Sequence, residues 1–466
     1  NRTYNEFTYP NQTDNYQQQY YQLFADHKFN SRWSVGSAFF LTRGQGYYEE
    51  YKSDARYSNY LLAPVVHGSD TLWKTDLIRQ LWLDNDFYGM RLYSHYVSAK
   101  TDAALYVNLN QYAGRHFGKV IWTQQGGVPD QYEWYRLTAN KQDQNIYAMV
   151  DHRFRNRWSL YADLQYRHVN YQLNGFRNNP TLKHELEYHF MNPKLKLSFQ
   201  DDIQLLSLLA GISQKEPNRD DVEAGAGSLP KAEKLLDIEL NYSRSFWRQF
   251  MVHANVFYMM YQDQLVLNGK INDIGAYTRV NVDRSFRRGI EVELLWKAIP
   301  RWIDVSANVA LSQNIIPGFV SYTDDYDQGI QIEKTYSNTP ISFSPGLIAS
   351  DKIQLYPFTF FYNSRFRPWA FVLQAKYVGK QYLDNTGSAD RMLKAYSVFD
   401  MGVHCPIAWR GRTLLTLKAT LYNFLNHLYE ANGYTYGYIE NQTLQTYNYY
   451  FPQAGRRWML GVNLNL

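Results

Sequence analysis

The segment KLLDIELNYSRS, residues 234–245, alternates between apolar and polar side chains from one residue to the next. The apolar positions are Leu236, Ile238, Leu240 and Tyr242, and the polar positions between them are Asp237, Glu239, Asn241 and Ser243. A period of two predicts a β-strand with one apolar and one polar face. The alternation returns after a short break at residues 246–248, and again in RRGIEVELLW at residues 287–296. This part of the chain therefore predicts consecutive β-strands.

Strand length separates two interpretations of the pattern. A soluble β-sandwich also has strands with one apolar face, so alternation does not exclude it. The stretch from Tyr277 to Trp296, however, is consistent with a single strand of about twenty residues, whereas globular strands usually have about five or six. Its first part, YTRVNVDRS, is polar on both faces, and its later part is apolar on one face. A strand that crosses a bilayer in about ten residues and continues into water would have this pattern.

The composition describes a polar chain that is rich in aromatic residues. Hydrophobic residues make up 45% of the 466 positions, and there are 42 Tyr, 12 Trp and 25 Phe, while the mean hydropathy is −0.52. No window approaches the roughly eighteen apolar residues of a membrane helix. An aromatic fraction of 17% fits the girdles of membrane β-barrels, and it also fits a soluble carbohydrate-binding β protein. The net charge of +5 comes without a basic block, which argues against nucleic acid as a partner.

The strands are predicted to form antiparallel hairpins with short turns on one side and long Tyr- and Asn-rich loops on the other. Short turns are expected at Asn30–Arg32, Val97–Thr101, Arg155–Arg157, Asp201–Asp202 and Ala408–Gly411. Long loops are expected at residues 44–76, 115–143, 318–340 and 425–453. We count about seventeen strands in one domain, 1–466. The predicted fold is an all-β transmembrane antiparallel β-barrel with long extracellular loops and short periplasmic turns.

Several stretches resemble the TonB-dependent outer-membrane receptors, particularly the iron-transport type of Bacteroidetes. They are NRTYNEFTYPNQTDNYQQ (1–18), SQKEPNRDDVEAGAGSLPKAEKLLDIELNYSRSF (213–246), YMMYQDQLVLNGKINDIGAYTRVNVDRSFRRGIEVE (258–293) and RRWMLGVNLNL (456–466). The resemblance implies a barrel of roughly 22 strands plugged by an N-terminal domain. It further implies that this chain is the C-terminal part, with the plug, its energy-coupling box and about five strands upstream of Asn1.

The resemblance also implies a function and partners. The expected protein is not an enzyme but a receptor of the bacterial outer membrane, which binds a scarce nutrient, above all a ferric siderophore, and imports it with TonB-derived energy. It needs no cofactor, and its expected partners are a metal chelate or other small nutrient, outer-membrane lipid and TonB through the plug, with a surface lipoprotein as a further candidate. Two departures stand out: the chain ends in Leu466 instead of an aromatic residue, and the boxes of the family's haem receptors are absent around residues 215–233.

Three alternatives remain open from the sequence. The first is a passive porin or structural barrel without a plug. The second is a haem or cobalamin receptor of the same family. The third is a secreted all-β sugar-active enzyme, for which Glu291 and Glu293, about seven Å apart on one strand face, would be the paired carboxylates.

The candidate ligand-binding residues are mostly aromatic side chains of the predicted loops. Rigid amphipathic rings suit the capture of a metal chelate at an extracellular mouth. The candidates are Tyr47, Tyr48, Tyr51, Trp122, Tyr132, Trp134, Arg219, Tyr434 and Tyr436, with Tyr438 as a further ring and Glu216, Asp220 and Asp221 as charged neighbours of Arg219. The polar strand positions expected to face the barrel interior or the plug are Asp163, Arg167, Glu239, Glu291, Glu293 and Lys418.

The sequence predicts no metal site and no catalytic triad. Asp324, Asp325 and Asp327 are spaced somewhat like a calcium loop, but the glutamate at its twelfth position is missing. The histidines do not show the i, i+4 spacing of a helical metal site. Four of them fall in different predicted hairpins: His67, His116, His168 and His253. Cys405 is the sole cysteine, so it forms no internal disulfide.

Overall fold

The fold is almost entirely β. A computed structural model describes residues 7–176, 179–224, 229–247, 249–271, 277–360, 369–409 and 412–464. Twenty strands of this part belong to one sheet, and two further pairs form small separate hairpins. This confirms the all-β antiparallel prediction and raises the strand count above the predicted seventeen. None of the described helices is long and apolar enough to cross a membrane.

The strands vary in length from two to twenty-four residues. They are β1 (Asp14–Lys28), β2 (Trp33–Arg56), β3 (Val65–His67), β4 (Asp70–Leu72), β5 (Lys74–Val97), β6 (Thr101–Thr123), β7 (Tyr132–Arg155), β8 (Trp158–Asn174), β9 (Lys183–Gln200), β10 (Gln204–Lys215), β11 (Glu233–Phe246), β12 (Phe250–Ile271), β13 (Tyr277–Ile299), β14 (Ile303–Asp325), β15 (Ile330–Pro340), β16 (Leu347–Leu355), β17 (Ala370–Val378), β18 (Gln381–Tyr382), β19 (Met392–Leu393), β20 (Tyr396–Trp409), β21 (Arg412–Tyr422), β22 (Glu430–Glu440), β23 (Thr443–Pro452) and β24 (Arg457–Leu464). The helices are α1 (Arg219–Ala224) and two 3-10 helices, Tyr57–Tyr60 and Pro357–Phe360.

The chain forms two compact units. The first contains Asn1–His152, Ala162–Pro193 and Asn218–Ser228, and the second contains Arg153–Tyr161, Lys194–Pro217 and Leu229–Leu466. In the first unit, β1, β2, β5, β6 and β7 pair in that order, each antiparallel to the next. In the second unit the antiparallel order is β9 to β14, then β16, β17, β20, β21 and β24.

The predicted short turns lie between strands, but the predicted long loops are largely strand. Residues 98–100 separate β5 from β6, and residues 201–203 separate β9 from β10; the Ala408–Gly411 turn is partly outside the described residues. The first predicted loop contains the end of β2, the third contains the β14–β15 hairpin, and the fourth contains β22 and β23. Strand pairing continues there although the apolar alternation does not, because backbone hydrogen bonds form without a regular apolar face.

The apolar strand faces are exposed and do not form a central core. Ile238 and Val256, for example, are 39% and 49% exposed. Among the described residues, some of the buried apolar side chains form three small clusters. They are the Leu173 cluster (Ala139, Leu173, Phe176, Leu186 and Val222), the Ile316 cluster (Val266, Val282, Ile316, Phe319 and Ile341) and the Leu77 cluster (Tyr60, Leu77, Val120 and Trp134). The exposed apolar faces fit strands that present one face to lipid.

Candidate functional site

The second unit contains an aromatic cavity of about 330 Å³. Its wall combines the tips of β14, β15, β22 and β23 with the segment between β18 and β19. The principal side chains that line it are Phe319, Tyr322, Lys334, Tyr336, Leu383, Asp384, Arg391, Tyr434 and Tyr436. Two of the predicted ligand-binding residues, Tyr434 and Tyr436, are therefore brought together in one concave site.

Stacked tyrosines on the β22–β23 hairpin give the cavity a rigid wall. The rings of Tyr434 and Tyr449 lie 4.8 Å apart and nearly parallel, and those of Tyr436 and Tyr447 lie 5.3 Å apart. These residues face each other directly across the hairpin. Cross-strand aromatic pairs of this kind stabilise a hairpin and fix its rings in place.

An ion pair forms the polar side of the cavity. Arg391 Nη1 lies 2.8 Å from Asp384 Oδ2, and each side chain is only about 15% exposed. Asp384 Oδ1 also accepts hydrogen bonds from the backbone N–H and the hydroxyl of Thr386, at 3.0 and 2.7 Å. A second cation, Lys334, lies over the Tyr336 ring at 5.1 Å. The cavity thus presents aromatic rings together with cationic groups.

The aspartates with calcium-like spacing hold two turns together. Asp325 Oδ1 accepts the backbone N–H groups of Asp327 and Gln328, at 2.9 and 3.1 Å. The Asp327 carboxylate accepts the N–H groups of Asn441 and Gln442, at 2.9 and 2.7 Å. Both of these turn residues have φ values near +55°, as a tight two-residue hairpin turn requires. These carboxylates therefore fix the β14–β15 turn against the β22–β23 turn.

Tyr438 is on β22 in the second unit, with its ring 5.8 Å from that of Tyr447. The remaining predicted aromatic residues lie in the first unit and serve several roles. Tyr47 packs on Trp82 with ring centroids 4.6 Å apart, and the Tyr51 hydroxyl donates a hydrogen bond to Asp76. Trp134 is buried in the Leu77 cluster. Tyr48 and Trp122 are exposed on strands, and the Tyr132 hydroxyl lies 3.4 Å from the carbonyl oxygen of Leu61. Ligand binding by these residues remains a prediction.

Arg219 begins helix α1 and makes three contacts in the first unit. Its Nη2 donates to the carbonyl oxygen of Gly175 at 3.1 Å, its Nη1 lies 3.3 Å from His116 Nδ1, and its guanidinium lies 5.0 Å from the Phe176 ring. Asn218 and Asp221 cap the same helix with reciprocal side chain to backbone bonds, at 3.1 and 2.9 Å. The contacts of Arg219, and the capping bonds between Asn218 and Asp221, thus hold the segment that contains α1 in place.

The docking of α1 is expected to weaken as the pH falls from about 6.5 to about 4. Burial, with the neighbouring Arg219 charge, lowers the pKa of His116 from 6.5 to about 4. Between pH 6.5 and pH 4, His116 takes up a proton when α1 is undocked or the chain is unfolded, but not in the native state. The native state therefore has its full stability above pH 6.5 and loses stability towards pH 4. The loss is at most about 3 kcal/mol.

Hydrogen exchange of residues 218–224 as a function of pH tests this expectation. In a His116→Gln variant, which keeps an acceptor for Arg219 but does not titrate, protection should no longer depend on pH in this window. An unchanged pH dependence in the variant would contradict the assignment to His116.

Residues predicted to face the interior lie on the polar strand faces. Arg167 on β8 makes a bidentate pair with Asp143 on β7, at 3.0 and 2.6 Å. Glu291 and Glu293 are opposite Asn255 and His253 on β12. Asp163 is half-buried. Glu239 accepts a hydrogen bond of 3.4 Å from the side-chain amide of Asn241. Lys418 on β21 is opposite His404 on β20.

Sequence reasoning missed the residues that complete the cavity. Phe319, Tyr336 and Leu383 come from three segments that are separated along the chain, and only their pairing brings them to Tyr434. The aromatic content of the predicted loop 318–340 was a usable signal for two of them.

Comparison with known proteins identifies the family. Residues 1–424 match the family described as TonB dependent receptor-like, beta-barrel. No curated protein matches the sequence significantly.

Solved structures share the fold at low sequence identity. The chain superposes with a TM-score of 0.63 and 13% identity on the ferric-catecholate import receptor Fiu of E. coli K12, covering 97% of this chain and 64% of that one. For the siderophore receptor PiuA of Acinetobacter baumannii the TM-score is 0.68, the identity 11% and the coverage 97% and 65%. For the copper transporter OprC the TM-score is 0.68 and the identity 12%, and the match covers 96% of this chain and 65% of that one. The chain thus spans slightly less than two thirds of these proteins, and it belongs to the TonB-dependent receptor β-barrel family.

Proposed function

We propose that this chain is the C-terminal barrel portion of an outer-membrane receptor that binds a ferric siderophore and imports it with TonB-derived energy. The observation that carries the proposal is the aromatic cavity around Tyr434 and Tyr436. Its volume of about 330 Å³ falls in the usual range for small-molecule sites, about 300–1,000 Å³.

The chemistry of the cavity favours a metal chelate. Ferric chelates with aromatic or carboxylate arms present flat rings and negative charge to their surroundings. Stacked tyrosines offer the rings a matching surface, and Lys334 and Arg391 lie beside them. One of the compared structures is named for ferric catecholate, one for a siderophore and one for copper, which supports the metal-chelate class. The sequence resemblance adds the Bacteroidetes iron-transport type to the proposal.

Two exposed strands support the proposal that further barrel strands precede this chain. Within its unit, β1 pairs with β2, and all fifteen of its residues are exposed. Within the other unit, β24 pairs with β21, and all its residues except Gly461 are exposed. Unpaired backbone groups at such edges cost several kcal/mol each in lipid. Strands that cover them would complete the wall, and a plug upstream would carry the contact to TonB.

Loss of the cavity rings is expected to weaken ligand binding. Tyr434→Ala and Tyr436→Ala in the complete receptor should each lower affinity for the cognate ferric siderophore about fivefold, since each removes roughly 1 kcal/mol of ring contact. Tyr450→Ala is the matched control, because Tyr450 is on β23 and exposed but does not line the cavity. Fluorescence quenching with catecholate, hydroxamate and citrate chelates, and with haem and cobalamin, measures the affinities.

The same experiment separates the alternatives. Tight binding of haem or cobalamin, with no ferric siderophore bound, would replace the ligand proposed here by one of these. Absence of binding by every probe, together with iron-independent growth of a deletion strain, would favour a passive barrel. Membership of a receptor family argues against the sugar-active enzyme.

A further inference from the structure

A cluster of two histidines and one glutamate lies across β8 and β9, outside the cavity. His168 Nε2 lies 2.9 Å from Glu187 Oε1, and His189 Nε2 lies 3.4 Å from the same oxygen. The two imidazole rings are stacked, with centroids 4.6 Å apart and planes 5° apart. One carboxylate oxygen and two imidazole nitrogens therefore converge within 4.8 Å of one another.

These separations match the edges of a metal coordination polyhedron. Zinc binds histidine nitrogen and carboxylate oxygen at about 2.0–2.2 Å in tetrahedral geometry, which places neighbouring ligand atoms about 3.4 Å apart. A cation could bind between the three atoms once the two stacked rings turn so that their Nε2 lone pairs converge. The donor set of two histidines and one glutamate is that of a three-ligand zinc site with an open fourth position.

A fourth side chain orients one of the ligands. The Tyr166 hydroxyl lies 2.8 Å from His189 Nδ1. When Nδ1 carries the ring proton and donates it to the tyrosine oxygen, Nε2 is left with a lone pair that points towards Glu187. A hydrogen bond to the far nitrogen is the usual way in which a metal-binding histidine is held in one tautomer.

The cluster lies on the outward face of its strands, where the apolar residues of that face give way to polar ones: Gln172 and Glu185 follow on the same face, joined by a hydrogen bond of 3.0 Å. Alternation places His168 on the same face of β8 as Leu164 and Tyr166, and places Glu187 and His189 on the same face of β9 as Met191. The His168, Glu187 and His189 side chains are 27%, 59% and 56% exposed. A cation can therefore reach the site from outside, and the open position is free for water or another ligand.

We propose that His168, Glu187 and His189 form a binding site for a divalent transition-metal cation of the zinc class on the outer face of the β8–β9 pair. His168 precedes Glu187 by nineteen positions, and Glu187 and His189 alternate on one strand, so helical spacing rules do not detect the three together. Their cross-strand register is what brings them together.

Zinc binding by the complete receptor in detergent tests the site. Competition with a fluorescent zinc chelator at pH 7.5 should show one tight Zn²⁺ per chain. His168→Gln, Glu187→Gln and His189→Gln should each weaken it at least tenfold, and Co²⁺ in the unaltered protein should give the intense visible absorption of tetrahedral coordination. His95→Gln is the matched control, because His95 pairs with Asp102 at 2.7 Å but has no second histidine in that pair.

Retained heat-modifiable migration on gels shows that each variant is folded. Absence of stoichiometric zinc binding by the unaltered protein would overturn the proposal. Binding that survives all three substitutions, or that is lost equally with His95→Gln, would also overturn it.

Discussion

Replacing Gly289 with alanine is expected to reduce sharply the amount of folded protein recovered from membranes. Gly289 is on β13 between Phe257 of β12 and Ser312 of β14. A Cβ atom at this position would lie 2.2 Å from the carbonyl oxygen of Leu311 and 2.9 Å from Phe257 Cζ. The nearest atom belongs to the backbone of a paired strand, so the clash can be relieved only by shifting the strand. Overpacking of this kind typically costs about 1–3 kcal/mol.

Gly318→Ala provides the matched control for this effect. Gly318 is on the neighbouring strand β14, and a Cβ atom there would meet nothing within 4 Å. The control should migrate and yield as the unaltered protein does. Adding Phe257→Ala to Gly289→Ala should not restore folding, because the Leu311 oxygen remains in place. Recovery in the double variant would show that the ring, and not the backbone, sets the constraint.

The sequence predicted the strands well where lipid and water impose opposite requirements on their two faces. Ile238 beside Glu239 and Ile290 beside Glu291 make the period of two visible. The predicted break at residues 246–248, of which 248 is outside the described residues, follows the end of β11 at Phe246. Beyond these segments the apolar alternation becomes short or absent, and the polar and aromatic residues of 330–340 and 443–452 resemble loop sequence as much as paired strand. β15 and β23 form there through backbone hydrogen bonds. The alternation of side chains does not reveal these bonds in the sequence.

The candidate site could be predicted only in part for a related reason. Tyr434 and Tyr436 are predicted because rigid amphipathic rings in a predicted loop suit ligand capture. Their partners depend on which hairpin tips meet, and that is set by the Asp327 contacts to Asn441 and Gln442. More than a hundred residues separate these groups along the chain, so the sequence carries no local signal of their contact. His168 and Glu187 likewise come together only because β8 and β9 lie side by side.

Replacing Asn385 with alanine is expected to loosen the wall of the aromatic cavity and abolish most ligand binding. Asn385 is fully buried. Its Oδ1 accepts the backbone N–H of Ser342 at 2.8 Å, and its Nδ2 donates to the carbonyl oxygen of Leu267 at 2.9 Å. One side chain thus joins three segments, and two of them, at Leu267 and at Leu383–Asp384, line the cavity. Alanine would leave a buried donor and a buried acceptor unpaired, at about 1–3 kcal/mol each.

Asn385→Asp and Ser337→Ala complete the test. Aspartate keeps an acceptor for Ser342, but it would place a buried carboxylate oxygen against the carbonyl oxygen of Leu267, so its effect should be at least as large as that of alanine. Ser337 is exposed on β15, and its replacement should change nothing. Hydrogen exchange should show lost protection at residues 341–344 and 383–391 in Asn385→Ala while β16, β17 and β20 stay protected. A side chain that fixes only the cavity wall should leave the strands beneath it paired. Unchanged protection at residues 341–344 and 383–391, or an equal loss of protection throughout the sheet, would therefore contradict a local role for Asn385.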